Sequence, residues 1–76
     1  MLIIDETTYQ IKMLGYIWDE QLLIEMHGLS RTEITNIFES AKSIVFVNSD
    51  GVKTDYSGLK VVDFLDGGEG ELVVLK

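Results

Sequence analysis

At 76 residues the chain is about half the length of a typical domain, which leaves room for one hydrophobic core spanning residues 1–76 and no second. Hydrophobic residues make up 46% and charged residues 25%, the balance of a folded chain rather than a disordered one. Six Lys and Arg against 13 Asp and Glu give a net charge of −7, a field that repels phosphate backbones and anionic lipid heads and so argues against direct nucleic-acid or membrane-surface binding.

The opening Met1-Leu2-Ile3-Ile4 resembles a secretory apolar region for only four residues before Asp5-Glu6 ends it. No apolar run approaches the length of a membrane span. The cysteine count is zero, which removes the usual staple of small secreted domains, and a cytoplasmic location is expected.

The first expected strand is Thr8–Met13, where Tyr9, Ile11 and Met13 alternate with polar residues. Gly15 marks a bulge or bend, Asp19-Glu20 a turn, and Gln21–His27 the returning strand of a hairpin, with Leu22, Ile24 and Met26 on the core face. Ser30-Arg31-Thr32-Glu33 matches a capping box and predicts a helix over about 30–41. Leu29 and Ile34 are spaced as a hydrophobic staple; Ile34, Ile37, Phe38 and Ala41 form one buried stripe, and Lys42 complements the negative pole of the helix dipole.

Ser43–Asn48 is β-branched and nearly all apolar, so it reads as a central strand buried on both faces. Ser49-Asp50-Gly51 turns the chain into Val52–Tyr56, a second hairpin. After Ser57-Gly58, Leu59–Leu65 and Glu71–Leu75 form a third hairpin across the loop Asp66–Gly70. The expected fold is α+β: a small antiparallel sheet of about six strands and three hairpins with one helix packed on it, in the order ββαββββ. A β-grasp-like layout, a half-open barrel plugged by the helix and a plain sheet with a covering helix all fit that order.

Chemistry-bearing patterns are sparse. His27 is the only histidine, and with no thiol it cannot build a typical zinc or nucleophile–base site; Glu25, two positions away on the same face, is its expected contact. Aligning Gly51 with the sixth position of a calcium loop puts Phe46 first and Ser57 twelfth, so both anchoring carboxylates are missing and a hairpin turn is the better reading. The glycines of Asp66-Gly67-Gly68-Glu69-Gly70 lack the following helix or lysine that a phosphate loop needs, and read instead as positions of positive φ. Paired acids at Asp5-Glu6, Asp19-Glu20 and Asp63/Asp66/Glu69/Glu71 read as solvated faces, and a chain of this size has little volume for a substrate pocket. No catalytic residue, metal, cofactor or small-molecule substrate is expected.

Tyr16-Ile17-Trp18 stands out, because three consecutive large residues beside a turn cannot all point inward, and exposed Tyr or Trp is enriched at interface hot spots. The leading expectation is a non-enzymatic protein–protein interaction or assembly module, its partner either another protein or a second copy of the chain in a homo-oligomer. The compact acidic composition has the general look of small phage or mobile-element accessory proteins, a likeness of style and not of motif. The alternative is an acidic inhibitor whose Asp63, Asp66, Glu69 and Glu71 cover a basic, nucleic-acid-binding surface of a host protein.

Overall fold

The computed structural model describes residues 1–17 and 20–76. Asp5 and Glu6 both adopt positive φ, 47° and 75°, as the central residues of a type I′ turn must. They fold β1 (Leu2–Ile4) back on β2 (Thr7–Tyr9) with Ile4 opposite Thr7. The Asp5 carboxylate fixes this turn by accepting the backbone N–H of Lys42 at 3.0 Å and of Ser43 at 2.9 Å.

Beyond Gln10 the chain crosses to a second sheet as β3 (Ile11–Ile17), which pairs antiparallel with β4 (Gln21–Met26). The expected strand Thr8–Met13 is therefore two strands in two sheets. Tyr9, Ile11 and Met13 all pack on one core, so their alternation runs through the crossing without marking it.

The capping box closes as the sequence predicts. Glu33 N–H donates to Ser30 Oγ at 3.1 Å, Ser30 N–H donates to Glu33 Oε1 at 3.3 Å, and α1 (Arg31–Ser40) follows. Its other end departs from expectation. Lys42 acts through its backbone N–H, and it is Lys60 whose Nζ donates to the carbonyls of Phe38 at 3.1 Å and Glu39 at 3.2 Å.

The remaining strands are β5 (Ile44–Val47), β6 (Lys53–Asp55), β7 (Val61–Leu65) and β8 (Glu71–Leu75). They complete two four-stranded antiparallel sheets, β2-β1-β5-β6 and β3-β4-β8-β7. The α+β class holds, but the described residues form eight strands in the order ββββαββββ, rather than about six in one sheet in the order ββαββββ. All three expected hairpins are present, with β1–β2 a fourth. Between β5 and β6, Gly51 N–H donates to Asn48 O at 3.0 Å and Gly51 has φ of 81°, the type I turn with a left-handed last residue of a three-residue hairpin loop.

One core joins the sheets. Leu2, Ile4 and Ile44 from the first meet Leu22, Ile24, Met26, Val73 and Leu75 from the second, and the helix contributes Ile34 and Phe38, both fully buried. The segment expected at Ser43–Asn48 is an inner strand, β5, but it is not buried on both faces: Ile44 is buried while Val45, Phe46 and Val47 are half-buried. The most enclosed strand is β8, an inner strand paired on both sides, with Val73, Val74 and Leu75 buried. Both strands are equally rich in apolar residues, and neighbours that come from elsewhere in the chain decide the difference.

Candidate interaction site

Gly15, with φ of 117°, sits at a bulge in β3 that leaves Leu14 without a partner between Met13 and Gly15. The extra residue shifts the alternation, so Tyr16 falls opposite Leu22, on the core side of the sheet, and Ile17 falls opposite Gln21 on the other. At the end of the strand Tyr16 overhangs the core and stays 65% exposed. Its hydroxyl shares a hydrogen bond of 3.3 Å with that of Tyr56, just past β6, and so ties the two sheets together. That bond, and then burial, push the Tyr56 phenol up to about 12.

Beneath the tyrosine pair lies a groove of about 580 Å³ lined by Tyr16, Ile17, Glu20, Leu22, Tyr56 and Leu59. The exposed large residue expected in Tyr16-Ile17-Trp18 is thus present at Tyr16, and Ile17 is half-buried beside it; Trp18 lies outside the described residues. Tyr56 and Leu59 were not foreseen as partners of Tyr16. They lie about forty residues away, and no local pattern signals such a meeting.

The acidic residues do not form one free surface. Arg31 at the helix start donates from Nε to Glu71 at 2.7 Å and from a terminal nitrogen to Asp66 at 3.1 Å, and its guanidinium lies 5.2 Å from the centre of the Phe64 ring. The bonds to Glu71 and then Asp66 raise the Arg31 pKa further above its ordinary value. Asp63 is exposed and accepts the backbone N–H of Phe64 at 2.8 Å, while Glu69 is exposed in the loop. Elsewhere, the Ser57 side chain and then its backbone N–H hold the Asp55 carboxyl below its usual range.

The predicted His27–Glu25 contact is present at 3.0 Å. The loop glycines behave differently from expectation. Of Gly67, Gly68 and Gly70 only Gly67 has positive φ, at 106°. A Cβ on Gly70 would collide with the Met26 backbone carbonyl and lie 2.9 Å from His27 Nδ1, and one on Gly68 would lie 2.6 Å from Glu25 Oε2. Close packing, not a left-handed backbone, requires glycine at Gly70, where the obstacle is backbone; at Gly68 the crowding comes from the side chains of Glu25 and Leu72.

The second sheet also carries an apolar outer face. Register places Ile17, Leu23, Leu65, Leu72 and Val74 on the side away from the core. Val74 is only 2% exposed yet stands outside the core cluster, and its cross-strand neighbours are Leu23 and Asp63. Leu65 is 38% exposed, and Val62, the extra residue at the β7 bulge, is 50% exposed. The sheet edges are less open to a partner: β3 and β7 are bulged, and β2 and β6 have three residues each. Among the described residues no group of three or more His, Cys, Asp or Glu could hold a metal ion, and no helix is long and apolar enough to cross a membrane. No protein-family model, curated protein or solved structure matches the chain.

Proposed function

We propose that the chain is a non-enzymatic protein–protein interaction module that docks through the outer face of the second sheet. One observation carries this reading: Ile17, Leu23, Leu65 and Leu72 lie on one face around Val74, opposite the face that packs the core. Apolar residues grouped on a face that also carries Lys12, Gln21, Glu25 and Asp63, in a sheet with blunted edges, suit side-chain docking better than strand addition. The absence of cysteine suits a cytoplasmic setting. The acidic-inhibitor reading is weaker, because Arg31 already pairs with two of the four acids it relies on and offsets part of their charge.

The test compares the wild type with a Leu23→Ser/Leu65→Ser variant and a Val52→Ser control, all checked for folding by circular dichroism. Absolute mass is measured by light scattering at low and high salt, and binding is measured to a partner captured from a cell extract and then purified. The double variant is expected to lose the association while Val52→Ser keeps it, since Val52 is exposed in the β5–β6 loop away from the face. Equal binding by all three proteins would sink the proposal.

A further inference from the structure

Resting on the interaction-module reading, we infer that the groove beneath Tyr16 and Tyr56 receives a cationic side chain, arginine or lysine, of the partner protein.

The lining is suited to such a group at each level. Ile17, Leu22 and Leu59 offer apolar surface to the aliphatic stem, which long basic side chains bury readily. Two tyrosine rings, held together through their hydroxyls at 3.3 Å, present aromatic surface that attracts a cation. Glu20 supplies a carboxylate in the same lining, and none of the described lining residues is basic. The volume of about 580 Å³ lies in the range of ligand-sized clefts.

Charge decides among the occupants. An anionic group would meet Glu20 within a molecule of net charge −7, with no cation among the described lining residues to offset it. A neutral apolar side chain would fill the floor but gain nothing from Glu20, which is exposed and stays hydrated. A second copy would bring a further charge of −7 against the first, so a basic partner is favoured over self-association. The groove adjoins the proposed docking face through Ile17, which lines the one and lies on the other, so a basic residue entering it would flank an apolar contact.

The experiment titrates the full chain with three short probes, acetyl-Leu-Arg-Leu-amide, acetyl-Leu-Leu-Leu-amide and acetyl-Leu-Glu-Leu-amide, following the Tyr16 and Tyr56 ring resonances by NMR. The arginine probe is expected to shift both rings saturably, and more tightly than the other two. Glu20→Gln should weaken it about threefold or more, and Tyr16→Ala further, while Glu6→Gln, at the exposed β1–β2 turn, should leave it unchanged. No saturable shift, equal binding of the neutral probe, or equal weakening by Glu6→Gln would overturn the inference. Partner binding left unchanged by Leu23→Ser/Leu65→Ser would instead overturn the docking-face reading, so the two failures are distinguishable.

Discussion

Replacing Lys60 by methionine removes the ammonium that closes the helix while keeping most of the aliphatic stem. The last carbonyls of a helix have no partner within it, and here two of them accept Lys60 Nζ at 3.1 and 3.2 Å. A hydrogen bond to a charged group contributes about 1.5–3 kcal/mol net, and a cation near a helix C-terminus about 0.3–1 kcal/mol. One ammonium shared between two acceptors, with the Glu39 end exposed, places the combined loss near the lower bound, at about 2 kcal/mol. With a urea slope of about 1 kcal/mol/M for a chain of this size, the unfolding midpoint should fall by roughly 2 M at unchanged slope. Lys42→Met should move it by less than about 0.5 M, because the bonds of Lys42 run from its backbone N–H to Asp5. A Lys60→Met midpoint that matches wild type, or a Lys42→Met loss as large, would refute the assignment of the helix cap.

Ser57→Ala should cost about 1–2 kcal/mol in urea unfolding, since Ser57 Oγ accepts the N–H of the buried Ile44 at 3.0 Å and methyl cannot replace it. Ultraviolet titration should find one tyrosine ionising near 12, and Tyr16→Phe should bring it back toward 10. Tyr56 keeps its proton to higher pH when folded than when unfolded, so the linked stability is intact below pH 10 and lost as pH rises through 12; a urea midpoint that holds constant across that window would contradict it. Gly70→Ala should destabilise by roughly 1–3 kcal/mol, because the new methyl meets the Met26 backbone rather than a side chain that could move. Gly51→Ala, where there is space but φ is 81°, should cost about 1–2 kcal/mol through backbone strain alone, and the two mechanisms separate if only the Gly70 variant alters amide exchange at Met26 and Glu71.

Local chemistry was legible wherever a feature closes within a few residues. The capping box at Ser30, the bulge at Gly15, the loop at Gly51 and the His27–Glu25 contact each depend on neighbours the sequence displays side by side. What depends on distant partners was hidden. Nothing near Gln10 announces a change of sheet, because Tyr9 and Ile11 serve the same core from different sheets. Lys60 lies 22 and 21 residues along the chain from the two carbonyls it caps, so the local pattern points to Lys42 instead. The site divides in the same way. The surplus at Tyr16 could be read from crowding beside a turn, but the second wall of its groove, Tyr56 and Leu59, comes from the connection between β6 and β7, about forty residues along the chain.

The interleaved order of the sheets also governs how the chain reaches its fold. Each sheet is held by one pairing between distant strands: Leu2 lies opposite Phe46, and Leu22 opposite Leu75, separations of 44 and 53 residues. The four hairpins can form early, but a two-stranded hairpin is marginal alone, so the apolar sides of β4 and β8 stay open until the long loops close. Refolding should accordingly fall in the millisecond-to-second range typical of non-local β topologies. During that interval the excess of seven negative charges keeps half-formed chains apart, a kinetic service that the acidic composition performs whatever the finished surface goes on to bind.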